Sequence, residues 1–241
     1  MRFVLIKSTL VLIALSVLAF AFAPLLLKII LWPFHAAVSQ YHLDAPSTAL
    51  LRTLRPSGAF MITMKLSLGA GFMLSLPCLL WFVGKFILPG LTPAERGYLL
   101  PALGAGTALF ALGTAFCFFV VLPAALGFFW SYGQNLGIAN EWTIENYVSL
   151  VVQLLIAFGA VFELPVVLLF CVKIGVLSHA LLRKSRKIVI VGIFILAAAV
   201  TPTPDIINQI LLAVPMILLY EICIWIAWWM GKSKKREDVE G

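Results

Sequence analysis

The sequence predicts an all-α membrane protein with six transmembrane helices, forming a kinked and concave bundle with both termini in the cytoplasm. Of its 241 residues, 63% are apolar and 11% are charged, against about 45–50% and about 25% in a typical soluble domain. A chain of this size cannot hide the excess in a core, because much of its surface stays in water. The composition also excludes a disordered chain and disfavours a β-barrel, whose strands alternate apolar with polar residues.

Six segments are candidates for spans, which need about 20 apolar residues to cross about 30 Å of hydrocarbon. We expect one integral membrane domain over residues 1–241, with spans at about 8–27, 66–84, 98–130, 147–172, 188–201 and 206–230. The connections are then cytoplasmic loops at 85–97 and 173–187 and outer loops at 28–65, 131–146 and 202–205. The fifth span has only 13 apolar residues, Ile188 to Val200. It would therefore cover only about 20 Å as a helix.

The first segment also resembles a secretory signal peptide, with Arg2 and Lys7 before it and Ala21-Phe22-Ala23 as a candidate cleavage site. Pro24 would follow the cut, and the apolar run continues to Leu27. A run of this length favours a retained helix.

The distribution of cations predicts the orientation. Thirteen of the seventeen lysines and arginines fall in the predicted inner segments and four in the outer ones. Because cytoplasmic loops are enriched in Lys and Arg, both termini are expected on the cytoplasmic side. The net charge of +7 is attributed to these loops and not to nucleic-acid binding.

Helix shape and contacts follow from proline and glycine. Prolines inside the spans remove backbone donors and are expected to kink four helices, at Pro77, Pro123, Pro165 and Pro215. Pairs of glycines allow close helix contact, at Gly69, Gly71, Gly104 and Gly106.

Motifs for catalysis or cofactor binding are missing from the sequence. It contains no HExxH, GxSxG, P-loop or GxGxxG pattern, and its four cysteines and three histidines show no metal-ligand spacing. We therefore expect no catalytic residues, no metal and no cofactor, and a transport or binding protein instead of an enzyme.

The segment FILPGLTPAER, Phe86 to Arg96, lies between the second and third spans. Pro89-Gly90 is typical of a turn that ends a helix, and Thr92-Pro93-Ala94-Glu95 is typical of a helix start. Glu95 has two interpretations that stay open: a capping-box residue, or a loop carboxylate that pairs with an incoming guanidinium.

Two acids fall inside the spans. Glu163 lies ten residues before Lys173, about 15 Å along a helix, so it is well within the bilayer. An intramembrane carboxylate indicates function by default, and the alternative is a protonated side chain bonded to a neighbouring helix. Glu221 follows Tyr220, where a structural hydrogen bond is favoured.

The sixth span has a polar beginning. Asp205, after Thr201-Pro202-Thr203-Pro204, is a candidate N-cap. Gln209 lies one turn later on the same face, and a buried glutamine in lipid needs a partner on this chain or another.

Three segments together resemble the TatC family, the multi-spanning subunit of the twin-arginine protein translocase. They are FILPGLTPAER, FGAVFELPV (Phe158 to Val166) and TPTPDIINQILLAVPMILLYE (Thr201 to Glu221). The likeness covers five of the six spans in matching order. It implies an inner (plasma) membrane protein that exports folded proteins using the proton-motive force, with TatA-like and TatB-like single-span partners and several copies per complex.

The resemblance also implies roles for residues. Glu95 matches the carboxylate that receives the arginine pair of a signal peptide, with Phe86, Pro89 and Arg96 completing that site. Glu163 matches an acid facing an intramembrane groove, and Pro33 matches a proline of the outer cap. Partner docking is implied for Thr203, Asp205, Gln209 and Glu221.

One departure concerns the N-terminus. Family members usually begin with a stretch resembling HLxELRxR, whose glutamate is a second arginine receptor, whereas this sequence begins MRFVLIK. Either the start is truncated or misassigned, or half of the expected site is lacking, in which case weaker signal-peptide binding is expected.

Two other classes of function remain open. A proton-coupled small-solute permease would use Glu163 as its carrier acid, and it would need internal symmetry and a polar pathway, which the sequence does not show. A purely structural scaffold would leave the FILPGLTPAER loop and Glu163 unexplained.

Overall fold

The computed structural model describes residues 2–40, 51–137, 142–200 and 206–240. The helices in these ranges are α1 (Arg2–Ala21), α2 (Ala23–Ile30), α3 (Trp32–Gln40), α4 (Gly58–Ile87), α5 (Pro93–Phe116), α6 (Leu122–Asn135), α7 (Ile144–Phe162), α8 (Leu164–Lys173), α9 (His179–Val200) and α10 (Ile206–Glu240). A 3-10 turn covers Leu88–Gly90, a π-helical segment covers Cys117–Val121, and the strands are β1 (Leu51–Arg52) and β2 (Trp142–Thr143). The chain forms two compact units: unit 1 is Met1–Phe82 with Thr114–Phe158, and unit 2 is Val83–Gly113 with Gly159–Gly241.

Four helical stretches within the described residues are long and apolar enough to cross a membrane. They are Gly58–Gly90, Arg96–Asn135, Ile144–Lys173 and Leu212–Trp229. The pair Ile6–Ala21 and Ala23–Gln40, bent by 81°, raises the number to as many as five. The predicted short span at 188–201 lies in α9, whose first nine residues hold four cations. The chain is thus a helical membrane protein with four or five candidate spans, and a sixth span stays a prediction.

The first predicted span bends sharply near its end. The bend follows Ala21, where Phe22 separates α1 from α2. Pro24 lies in the first turn of α2, where its missing amide costs no helical hydrogen bond. The chain after residue 28, predicted as an outer loop, is largely helical up to Gln40.

An aromatic cluster holds the start of α3 and the start of α7 together in unit 1. Phe34 is only 1% exposed, and its ring meets Trp142 and Tyr147 edge-on at 6.0 and 5.8 Å between centroids. The Tyr147 hydroxyl donates a 2.6 Å hydrogen bond to the Ile30 carbonyl oxygen. Because a buried hydroxyl without a partner is costly, this bond fixes the position of α7 against the end of α2.

The two short strands add a parallel pairing that the sequence does not predict. Leu51 pairs with Trp142, and Arg52 pairs with Thr143. Just beyond the strands, the Thr53 hydroxyl donates to the Glu145 carboxylate. This pairing ties the segment before α4 to the segment before α7.

Glycine allows α4 to approach two other helices of unit 1. A Cβ built on Gly69 would lie 2.5 Å from Val152 Cγ1, and one built on Gly71 would lie 2.6 Å from Ser16 Cα. Neither position has room for a larger side chain without movement. The corresponding Cβ on Gly104 meets no atom within 4 Å, so close packing there is not observed among the described residues.

Proline coincides with two irregularities in the long helices. The π-helical segment Cys117–Val121 ends two residues before Pro123, and the α7–α8 break at Glu163 lies two residues before Pro165. A proline cannot donate to the carbonyl four residues earlier, so the preceding turn rearranges. Pro77 and Pro215, in contrast, lie inside the continuous helices α4 and α10.

In unit 2, α9 and α10 form an antiparallel pair joined by hydrogen bonds near each end. The Tyr220 hydroxyl donates to the Leu182 carbonyl at 2.8 Å, and the Gln209 amide donates to the Phe194 carbonyl at 2.9 Å. Gly175, with φ +82°, ends α8, since the Val176 amide donates to the Cys171 carbonyl in a Schellman motif. The Ser178 hydroxyl then caps α9 by accepting from the Leu181 amide.

Candidate functional site

The loop between α4 and α5 is built as its sequence predicts. α4 ends at Ile87, the 3-10 turn contains Pro89, and the Leu91 amide donates to the Leu88 carbonyl at 3.2 Å. α5 then begins at Pro93, and the Arg96 amide donates to the Thr92 carbonyl. The non-helical part is shorter than the predicted loop at 85–97, because helix extends through Ile87 on one side and from Pro93 on the other.

This loop presents an apolar surface, the "loop surface", formed by Phe86, Ile87, Leu88 and Pro89. All four residues are exposed, Phe86 by 48%, while Leu91 is buried and anchors the turn. An exposed apolar surface is typical of a binding surface in a soluble protein, and here it lies at the end of the candidate span Gly58–Gly90.

Glu95 and Arg96 lie in the first turn of α5, six and seven residues after Pro89, the last residue of the loop surface. The side chain of Glu95 lies outside the described part of the chain, but its place as third residue of the helix is defined. A carboxylate in that position is favoured by the helix dipole. Arg96 turns back on the loop, where its Nε donates to the Leu91 carbonyl at 3.3 Å, so this guanidinium helps to hold the loop.

A contact that the sequence does not predict brings α8 to the same place. The Lys173 Nζ lies 4.6 Å from the centroid of the Tyr98 ring, within the range of a cation–π interaction. It joins the last residue of α8 to the second turn of α5. Nothing in local periodicity pairs residues so distant along the chain.

Glu163 is at the break between α7 and α8, in the stretch Ile144–Lys173 that can cross a membrane. Its Oε1 is buried, and no hydrogen-bond partner for it is found among the described residues. The chain before it is tightly packed: a Cβ on Gly113 would lie 2.5 Å from Phe162 Cγ, and one on Gly159 would lie 2.3 Å from Phe110 Cε2. Phe162, the residue before Glu163, thus packs closely against Gly113, and this packing restricts the position of the backbone at Glu163.

The predicted docking residues fall into two groups. Thr203 and Asp205 lie outside the described residues. Gln209 and Glu221 both have partners within unit 2: Gln209 bonds the Phe194 carbonyl, and the Glu221 carboxylate pairs with the Arg186 guanidinium. Their contacts hold α9 against α10, and docking of another chain stays a prediction.

Pro33 is the second residue of α3 and is fully buried, next to the Phe34 cluster. Helical hydrogen bonds continue through the junction of α2 and α3, since the Leu31 amide donates to the Leu27 carbonyl and the His35 amide to the Leu31 carbonyl. Pro33 fixes the backbone φ angle at the start of α3.

Several apolar, membrane-length helices define the chain as a multi-pass helical membrane protein. The family model described as Sec-independent protein translocase protein (TatC) matches residues 1–215. The chain therefore belongs to the TatC family, whose members are protein translocase components and not known enzymes.

Relatives support the assignment over most of the chain. The Sec-independent protein translocase protein TatC of Akkermansia muciniphila is 48% identical over 79% of this chain, and the match spans 56% of that relative's own length. The TatC of Carboxydothermus hydrogenoformans is 37% identical over 94% of this chain and 89% of its own. None of these matches supports a small-solute permease.

A solved structure shares the fold. The crystal structure of the twin-arginine translocase receptor TatC in DDM superposes with a TM-score of 0.82 and 35% sequence identity. The match covers 94% of this chain and 96% of the solved one. Sequence and fold thus agree on a subunit of the twin-arginine translocase.

Proposed function

We propose that this chain is the receptor subunit that binds twin-arginine signal peptides at the cytoplasmic face of the plasma membrane. With TatA-like and TatB-like single-span partners, and in several copies, it exports folded proteins using the proton-motive force. The observation that carries the proposal is the exposed loop surface beside Glu95 in a chain of the TatC family.

The chemistry of the loop suits such a ligand. A twin-arginine segment offers two planar guanidinium groups, and a carboxylate accepts a guanidinium through paired hydrogen bonds. Glu95 supplies the carboxylate, and the loop surface supplies apolar contact for the residues that flank the arginines. The Arg96 Nε donates to the Leu91 carbonyl, so Arg96 stabilises the loop.

We also propose that Glu163 is the acidic residue of an intramembrane groove that contacts the signal peptide. A buried carboxyl oxygen without a bonded partner is costly in hydrocarbon, so a polar group that reaches it gains a hydrogen bond. A signal peptide that enters the membrane beside α7 and α8 would supply backbone groups at this depth.

Partner docking is proposed for Thr203 and Asp205, which precede α10 in the sequence, for Gln209 in its first turn and for Glu221 further along the helix. The strong bias of cations toward the predicted inner segments supports an orientation with both termini in the cytoplasm. In this orientation the loop surface faces the compartment where folded cargo is made.

Photo-crosslinking in membranes tests the receptor role. A photoreactive residue replaces Phe86, and a precursor with a twin-arginine signal is the bait. Its matched control is the same probe at Leu54, which is also exposed but lies in the predicted outer loop.

The expected result is a precursor adduct at position 86 that disappears when the arginine pair becomes two lysines. Adducts of equal yield at positions 86 and 54, or adducts insensitive to the arginine pair, would overturn the assignment.

A further inference from the structure

Unit 2 contains an apolar cavity of about 380 Å³ between α7, α8, α9 and α10, called here the α9 cavity. Its walls include Leu164, Leu168, Leu181, Ser185, Val189 and Leu219. Tyr220 also lines it, but the Tyr220 hydroxyl is donated to the Leu182 carbonyl. The cavity therefore offers an occupant hydrocarbon contact along most of its surface, which a chain of methylene groups matches and water does not.

Four cations flank Ser185, a lining residue of the α9 cavity, along the chain, although none of them lines the cavity itself. Ser185 has Lys184 and Arg186 as its chain neighbours, and Arg183 and Lys187 come next on either side. All four cations are exposed, and Arg186 is paired with Glu221. The four charges fall within five consecutive residues of a helix whose first turn holds no acid, and like charges three or four residues apart on a helix repel one another. An anion beside them would relieve their mutual repulsion.

We propose that the α9 cavity binds an anionic glycerophospholipid of the surrounding bilayer, with one acyl chain in the cavity and the headgroup at Arg183, Lys184 and Lys187. Basic pockets between transmembrane helices are typical sites for such headgroups. The proposal does not depend on signal-peptide binding at the loop surface.

The size of the cavity suits a small apolar ligand. Its volume of about 380 Å³ lies within the range of small-molecule sites, about 300–1,000 Å³. A hydrocarbon chain is narrow enough to enter beside Leu164 and Leu181, both of which are exposed.

Native mass spectrometry of the full-length protein in detergent tests the proposal. The probes are dioleoylphosphatidylglycerol and dioleoylphosphatidylcholine, which have the same chains and differ in headgroup charge. The anionic lipid is expected to bind more tightly, by about five-fold for each cation that contacts its headgroup.

Two variants distinguish the contribution of the acyl chain to lipid affinity from the contribution of the headgroup. Val189→Phe places a larger side chain in the cavity and leaves less volume for an acyl chain. We expect it to reduce the affinity for both lipids by about five-fold or more. Val191→Phe, on the same helix but 59% exposed and outside the lining, is its matched control and is expected to bind as the unaltered protein does. Arg183→Gln with Lys184→Gln is expected to lower only the affinity for phosphatidylglycerol, by about twenty-five-fold.

A second pair of substitutions controls for net charge. Lys234→Gln with Lys235→Gln removes the same charge from the C-terminal segment and is expected to leave lipid preference unchanged. Ser185→Leu repeats the filling test one turn earlier on the same face of α9 if Val189→Phe does not fold. Equal affinity for the two lipids, or undiminished binding by a folded cavity-filling variant, would overturn the proposal.

Discussion

The guanidinium of Arg186, on the third turn of α9, donates to the carboxylate of Glu221 on α10. The two side chains are 44% and 27% exposed. The pair lies next to the bond from Tyr220 to the Leu182 carbonyl, so charge and backbone contacts fix the same register of α9 on α10. Glu221, which the sequence assigns to partner docking or a structural hydrogen bond, has a defined structural contact on its own chain.

Disrupting this pair is expected to give non-additive losses of stability. Arg186→Gln and Glu221→Gln should each lower the free energy of unfolding, and the double variant should lose less than their sum, with a coupling of about 0.5–1 kcal/mol. Denaturant unfolding in detergent micelles measures the cycle, with Lys187→Gln as the control. Strict additivity would mean that the ion pair contributes nothing to the free energy of unfolding. A separate co-purification experiment tests docking at Glu221: a greater loss of the bound partner with Glu221→Gln than with Arg186→Gln would support it.

The contact of Lys173 with Tyr98 is expected to depend on an aromatic ring. Tyr98→Phe keeps the ring and should unfold as the unaltered protein does. Tyr98→Leu should lose about 0.5–1 kcal/mol of stability, the range of an exposed cation–π interaction. Thermal denaturation of both variants, repeated in the Lys173→Gln background, checks this: the penalty for Tyr98→Leu should vanish there, and a penalty that persists would assign the effect to ring packing alone.

The glycines of α4 are expected to differ in how well a substitution can be rescued. Gly69→Ala places its Cβ against Val152 Cγ1, and Gly71→Ala places its Cβ against Ser16 Cα. Each should cost about 1–3 kcal/mol, as overpacking does. Val152→Ala should restore Gly69→Ala, because it removes the clashing methyl group.

No side-chain substitution at Ser16 can restore Gly71→Ala, because the backbone itself is in the way. Gly104→Ala, with open space around it, is the control and should be neutral or slightly stabilising. Midpoints of thermal denaturation rank the four variants. Rescue of Gly71→Ala by Val152→Ala would contradict the contacts described above.

Local patterns predict the parts of the structure that local physics determines. Thr92-Pro93 marks the start of α5, and Pro123 and Pro165 mark the π-helical segment and the α7–α8 break, because each depends on missing donors within one turn. The pairing of β1 with β2 and the contact of Lys173 with Tyr98 depend on how distant segments pack, so no periodicity contains them. For the same reason Gly104, an equally good small residue by sequence, lacks the contact that Gly69 makes.

The two interpretations of Glu95 give opposite expectations for a single substitution. Glutamine at the third position of a helix keeps a capping box but carries no charge. If Glu95 receives an arginine, Glu95→Gln should weaken binding of a twin-arginine signal peptide by about ten- to a hundred-fold, the value of a charge-assisted hydrogen bond of about 1.5–3 kcal/mol. Thermal stability should be unchanged.

Fluorescence anisotropy with a labelled signal peptide measures the loss. A peptide with two lysines in place of the arginines should bind the unaltered protein weakly. Its affinity for the Glu95→Gln variant should be no higher. Thr92→Ala is the converse control: it removes the candidate cap and should lower stability while leaving peptide affinity nearly intact. Unchanged affinity with Glu95→Gln would leave capping as the role of this residue.

Glu163 is expected to tolerate loss of its charge better than loss of its polarity. Its Oε1 is buried, with no partner among the described residues, so a neutral hydrogen-bonding group suits the position about as well as a carboxylate in a low-dielectric site. Export of a reporter in cells that rely on this protein should fall partially with Glu163→Gln and further with Glu163→Leu. Glu163→Leu should at the same time raise thermal stability, because an unsatisfied polar atom is removed. A Glu163→Leu variant that is stabilised and still exports at the original rate would show that the acid has no part in transport, whereas abolished export with Glu163→Gln would show that the charge itself is required.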